Sequence, residues 1–290
     1  MSNFIVEDLK RILKGDNPLS KLILINVIVF IVDNLFGRFI PFFEWLGLPG
    51  SAMEFIVKPW TLVTYMFMHG GFLHILFNML WLYWMGRILL EYLGKRRVVS
   101  IYFFGGIAGG IAYLVAYNFM ALTGDVAMGS GLIGASAGVM AVVIAVATLL
   151  PDYEVMLFLI GRVRMKYVGL GILILTSIID FSINMGGKLA HLGGAALGYV
   201  FIRQLRSGND WSSAFYGIVD WFMGLFASKQ KLKVVKKPKR PGRTSTSKNQ
   251  SVSATDQQRI DSILDKISES GYDALTTEEK EFLFRASNKK

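Results

Sequence analysis

Gly134-Ala135-Ser136-Ala137-Gly138, at the head of the apolar run Leu132–Leu150, is the stretch on which the reading of this chain turns. A serine flanked by small residues has an accessible hydroxyl and accessible neighbouring backbone N–H groups. The run behind it is close to the roughly 20 residues that a membrane-spanning helix requires. Alone, Gly-x-Ser-x-Gly is weak evidence. In a membrane helix it is more often a packing face, and this segment cannot offer the strand-to-helix turn of soluble hydrolases. Its weight comes from its company. Only three histidines occur in 290 residues, and all of them also stand at the start of apolar runs. An ionisable group in hydrocarbon is costly and usually has a functional reason to be there.

Working outward, the chain is 53% hydrophobic with a mean hydropathy of +0.45, which indicates a polytopic membrane protein rather than a soluble core. Six runs qualify as spans: Leu22–Phe36, Phe72–Leu90, Val99–Ala121, Leu132–Leu150, Val168–Ile183 and Leu189–Ile202. They predict an all-α bundle of six transmembrane helices over residues 22–205, preceded by a cytoplasmic segment, 1–21. That segment carries Lys10, Arg11, Lys14 and Lys21 but no signal-peptide cleavage pattern, so the first span is expected to be retained. The absence of cysteine excludes disulfides, thiolate metal sites and cysteine nucleophiles. The net charge of +10 is not a nucleic-acid signal once it is located: nine Lys and Arg with no acid lie between Lys229 and Lys248, beyond the spans. Basic residues so placed mark a cytoplasmic face and anionic lipid.

The connections set the orientation. Lys95, Arg96 and Arg97 follow the second run, Arg162, Arg164 and Lys166 the fourth, and Arg203 and Arg206 the sixth. The third is followed only by Asp125 and the fifth only by Lys188. Both termini then face the cytoplasm. Runs two, four and six all enter from outside, and His74 with Asn78, Ser136, and His191 fall in their first turns. At 1.5 Å per residue they share one layer, roughly 5–10 Å below the outer face.

The chemistry of that layer follows from residue types. A histidine near enough to accept the proton of Ser136 is the minimum for an activated nucleophile, and His191 can do so if the sixth helix lies against the fourth. Gly194 and Gly198 give the sixth helix a smooth face for such an approach. His74 and Asn78, four apart on one helix face, both offer N–H donors suited to an oxyanion. His69 precedes Gly70-Gly71 and is placed to brace the adjoining loop. A polar network that merely joins helices is the competing explanation for His74 and Asn78. A metal site is disfavoured: there is no His-Glu-x-x-His pattern, no acid adjoins His191, and Asp180 is the one carboxylate at similar depth. No cofactor is called for.

Beyond the sixth span, 206–228 reads as an interfacial amphipathic helix with Trp211, Phe215, Ile218, Trp221, Phe222 and Phe226. A basic disordered linker, 229–257, follows. In 258–290 a helix with Ile260, Ile263, Leu264 and Ile267 ends at Gly271, and Thr276 with Glu279 forms a capping box for a second helix running through Phe284.

His69-x4-His74-x3-Asn78, Gly134-x-Ser136 and Ala190-His191-x2-Gly194-x3-Gly198, in that order on alternate spans, resemble the rhomboid intramembrane serine proteases. The resemblance covers about Leu22 to Arg203. It implies a Ser136–His191 dyad without a third carboxylate, an oxyanion hole of His74, Asn78 and the backbone N–H of Ser136, and single-span membrane proteins as substrates cleaved near the outer face. It further implies Glu91 as a structural glutamate, while a cysteine-free six-span chain with a short tail suits a multi-pass protein of a bacterial inner membrane. Three positions depart from the family pattern: Ala137 stands where glycine is usual, Met140 where an aromatic residue often stacks on the histidine, and Trp60-Thr61 where Trp-Arg is usual. Ala137 and Met140 keep a second reading open, a catalytically silent rhomboid-like protein that binds membrane clients. A transporter would require an internal repeat with broken charged helices, which the sequence lacks.

Overall fold

Residues 15, 17–123, 131–157, 160–177, 184–226 and 254–287 are described by the structure, a computed structural model. The N-terminal basic residues 10–14, Asp125, Asp180 and the basic stretch Lys229–Lys248 lie outside them. The chain divides into two units, 1–228 and 229–290.

In the first unit α1 spans Pro18–Phe36, started by Asn17, whose side chain accepts from the Leu19 N–H at 3.0 Å. The short helices α2 (Phe42–Leu46), α3 (Ala52–Val57) and α4 (Thr61–Thr64) follow, with strand β1 (Leu48–Pro49) between α2 and α3. A 3₁₀ turn at Tyr65–Phe67 leads into α5, Phe72–Leu122. This 51-residue element is two helices joined at Gly94, whose φ of 75° and ψ of 173° break the helical path where the sequence places its Lys95-Arg96-Arg97 connection. Strand β2 (Gly131–Leu132) pairs antiparallel with β1 and delivers the chain to α6, Ser136–Leu149. A hairpin of β3 (Glu154–Leu157) and β4 (Gly161–Arg164) leads to α7, Met165–Ser177. Helix α8 is Met185–Arg206 and α9 is Ser212–Phe226.

The architecture is helical, as expected, with two additions. The β1–β2 pair and the β3–β4 hairpin were not anticipated, because strands of two to four residues leave almost no periodic signal. In the hairpin Val155 is buried while Glu154, Met156, Arg162 and Arg164 face outward, the alternation a pleated ribbon imposes. On length and composition α1 and α5 could each cross a membrane; α6 and α7, with 14 and 13 residues, are apolar but shorter.

Two boundaries differ from expectation in ways that matter. Helix α6 begins at Ser136 rather than Leu132, because Gly134 has φ +128° and cannot be helical. Helix α8 begins at Met185 rather than Leu189: Asn184, itself left-handed at φ 51°, caps it through the Gly187 N–H, and this polar start is invisible to hydropathy.

The core is where α5, α6 and α8 meet, and glycines make the meeting close. A Cβ at Gly194 would strike the Ala137 carbonyl oxygen and one at Gly198 the Ala141 carbonyl oxygen, so α8 lies with its backbone against α6. On the other side of α6 a Cβ at Gly138 would come within 2.7 Å of the Tyr102 carbonyl oxygen on α5. Arg206 reaches back from α8 to the Thr148 and Leu149 carbonyls at 3.0 and 3.1 Å, satisfying acceptors that the end of α6 leaves open. Helix α9 packs on α5 through Phe215, stacked on Phe103 at 5.6 Å and edge-on to Phe104, while Arg97 pairs with Asp210 at 2.9 Å.

The second unit is a helical pair, α10 (Ala254–Ser270) and α11 (Thr277–Ser287), joined by Gly271 (φ 81°) and a 3₁₀ turn, Tyr272–Ala274. The capping box is formed: the Thr276 N–H donates to Glu279 Oε2 at 2.8 Å and the Glu279 N–H to Thr276 Oγ1 at 3.3 Å.

Candidate active site

Ser136, His191, His74 and Asn78 line one cavity of about 540 Å³, with Leu73, Phe77 and Trp81 from α5, Ile133, Met140 and Val143 from the α6 side, Ile172 and Thr176 from α7, and Asn184 and Gly187 at the start of α8. Each reaches it for a local reason. Ser136 is the first residue of α6, so it sits where the first N–H groups of a helix have no intrahelical acceptor and the helix dipole presents its positive end. Gly134, two residues before it at φ +128°, is held by its N–H donating to the Tyr65 carbonyl at 3.0 Å; Tyr65 in turn donates its hydroxyl to the Gly106 carbonyl at 2.7 Å. A Cβ at Gly134 would lie 2.9 Å from His74 Nε2 and 3.5 Å from Ser136 Oγ. The glycine therefore lets the imidazole and the hydroxyl close over the same point.

The bonds around His74 set its hydrogen. Its Nδ1 accepts from the Gly70 N–H at 3.4 Å, which leaves Nε2 as the protonated nitrogen of the neutral ring, on the side of Gly134 and Ser136. Asn78 donates one Nδ2 hydrogen to the His74 carbonyl at 2.8 Å and keeps a second. His69 is buried and stacks edge-on against His74, ring centroids 5.0 Å apart.

His191 is in the second turn of α8, and its Nδ1 is 3.3 Å from the Thr176 carbonyl oxygen. Gly194 and Gly198 stand below it on the face pressed to α6, the approach that brings α8 beside Ser136. No direct hydrogen bond joins Ser136 to His191; such bonds are often long in unliganded sites and tighten when substrate binds. Ala137 is buried, and a Cβ at Gly109 would touch its Cβ at 2.5 Å, so the departure at 137 occupies helix packing rather than the cavity. Met140 is buried and does line the cavity.

The first loop is stapled by side chains. Trp60 Nε1 donates to the Trp45 carbonyl at 2.9 Å, Lys58 to the Glu44 carbonyl at 3.0 Å and Thr64 to the Leu46 carbonyl at 2.8 Å. Thr61 is buried, its hydroxyl donating to the Lys58 carbonyl. Glu91, in contrast, is exposed and without a hydrogen bond or ion pair among the described residues, so the structural role implied for it has no support here. Phe77 and Trp81 were missed in the sequence although 74, 77, 78 and 81 share one helical face. The Thr176 carbonyl could not be found there, since a backbone acceptor has no residue-type signal.

A Rhomboid domain model matches residues 57–207, and residues 249–289 match a family of unknown function (DUF6576). Among proteins the chain is similar to are RHOMBOID-like protein 12, mitochondrial, of Arabidopsis thaliana, 29% identical over 160 residues (51% of this chain, 47% of the relative). The Rhomboid protease GlpG of Klebsiella pneumoniae is 30% identical over 117 residues (34% and 41%), and that of Photorhabdus laumondii 28% over 137 residues (41% and 46%). The chain spans less than half the length of each of these relatives. The matched domain coincides with the glycine-packed helices and covers every residue of the cavity, and the chain belongs to the rhomboid family.

Proposed function

We propose that this protein is an intramembrane serine endopeptidase. Ser136 Oγ attacks a peptide carbonyl while His191 accepts its proton, then returns it to the leaving amine. The tetrahedral oxyanion is held by His74 Nε2–H, the free Asn78 Nδ2–H and the Ser136 backbone N–H at the positive end of α6. The observation that carries the reading is the convergence of Ser136, His191, His74 and Asn78 on one cavity. Six spans with both termini cytoplasmic place the site near the outer face, where water can enter. The substrates are single-span membrane proteins whose helix-destabilising small residues let the chain unwind there. Residues 206–228 lie in the membrane interface, Lys229–Lys248 attract anionic lipid at about 1 kcal/mol per basic residue close to the surface, and the helical pair beyond is tethered to the cytoplasmic face.

The test is cleavage of a model transmembrane substrate in detergent, followed on gels. Ser136→Ala and His191→Ala should each abolish it. Cleavage by Ser136→Ala at the wild-type rate would refute the mechanism. The second reading, a client-binding protein without activity, is favoured by Met140 where a stacking ring would hold the histidine. A serine-directed fluorophosphonate separates the two: an enzyme is labelled in wild type and not in Ser136→Ala, a binder in neither.

A further inference from the structure

The dyad uses one nitrogen of His191; the other meets the backbone of a different helix. Nδ1 lies 3.3 Å from the carbonyl oxygen of Thr176 on α7, and a carbonyl can only accept, so the hydrogen is on Nδ1. We propose that the main-chain carbonyl of Thr176 is a positioning group that holds His191 in its Nδ1–H tautomer, leaving Nε2 as the acceptor for the Ser136 proton. This rests on His191 being the base.

Three features support the assignment. Among the described residues the cavity lining offers the His191 ring a backbone acceptor and no carboxylate. The Thr176 side chain is engaged elsewhere, its hydroxyl donating to the Ile172 carbonyl at 2.8 Å, which leaves the carbonyl as what this residue offers to the ring. A carbonyl built into a helix also has no rotamer to lose when it is ordered, and as a neutral dipole it avoids the cost of an ionised group at that depth. The orientation of His191 on α8 is thereby tied to the position of α7, two helices with no covalent neighbour in common at this level. The tautomer of a histidine is set by the bond its other nitrogen makes, so weakening the acceptor should loosen the base without removing it.

The full chain has three histidines, so ¹⁵N-histidine NMR in detergent micelles can follow each ring, His191 being the signal lost in His191→Gln. The expected spectrum shows His191 as the Nδ1–H tautomer. A dominant Nε2–H form in the wild type overturns the proposal whatever the fate of any variant. The second arm replaces the peptide bond between Thr176 and Ser177 by an ester, introducing residue 177 as its α-hydroxy acid. This weakens the carbonyl as an acceptor and leaves the Thr176 side chain intact. The expected result is a shift toward the Nε2–H tautomer and a fall in kcat of roughly three- to ten-fold at unchanged KM, the range of one weakened hydrogen bond. A folded ester variant with wild-type tautomer and kcat also overturns it. Activity surviving in Ser136→Ala would instead refute the dyad, and the tautomer measurement would still stand by itself.

Discussion

Between α6 and α8 the chain leaves no room for a side chain at Gly194 or Gly198, where carbonyls of Ala137 and Ala141 occupy the space a Cβ would take. In the pair α10–α11 the shape comes from signals a few residues apart: Gly271 at φ 81°, the Thr276–Glu279 box, Lys266 paired with Glu279 at 3.0 Å and Arg285 with Glu281 at 3.0 Å. Buried apolar side chains there come down to Ile263 and Leu275 among the described residues. The first region depends on backbones meeting across about 60 residues of sequence; the second is local chemistry on a thin core. Lipid provides no hydrophobic drive between helices, so close packing has to supply the association. A small unit lacks the area for a large core and relies on caps and turns.

The largest effect should come from Gly198→Val. The branched side chain meets the Ala141 carbonyl, and two rigid backbones must separate; destabilisation of about 3 kcal/mol or more, the upper end of overpacking, is expected in thermal unfolding in detergent. A wild-type melting point would show that α6 and α8 do not touch there. Gly134→Ala is the sharper probe of the site, since it opposes φ +128° and crowds His74 at 2.9 Å. The expected outcome is a roughly 100-fold loss of cleavage, the cost of a misplaced group, with fluorophosphonate labelling of Ser136 reduced in parallel.

In the second unit the effects should be smaller and local. Thr276→Ala should cost about 1 kcal/mol, read as faster hydrogen exchange at the amides of residues 277–280 while those of α6 are unchanged. Spreading of the effect to α6 would show that the two regions are coupled. Acid offers a milder version of the same test. The Thr276 backbone N–H, then Lys266, hold the Glu279 carboxyl below its ordinary 4.5. Its contribution is therefore complete above that value and disappears as pH falls through the lower folded value. Exchange at the start of α11 should accelerate across that window, and Glu279→Gln should remove the pH dependence. The smallest effect expected is none: a chain ending at Gln230 should cleave a model substrate in detergent as fast as the full protein, and loss of most activity in a folded truncation would show that the tail acts on the core.

Helices and their order were legible because each rests on local pattern: long apolar runs, a capping box, glycine at a helix end. Edges were less so. Ser136 read as one turn inside a helix is its first residue, because hydropathy cannot register the φ of Gly134. The start of α8 was placed four residues late for want of an apolar signal at Gly186-Gly187-Lys188. The implied role of Glu91 came from loose spacing, and Glu91 has no hydrogen-bond or ion-pair partner among the described residues.

By itself, then, the sequence determined where helices run and which side chains have the chemistry of a donor, a nucleophile or a base, since those depend on residue type and on periods of a few residues. Tertiary structure decided which of these groups share a cavity and which nitrogen of His74 and of His191 meets a backbone partner. Those outcomes depend on carbonyls and amides that every residue possesses, so no residue name announces them; only the approach of Tyr65 to Gly134, of Gly70 to His74 and of Thr176 to His191 does.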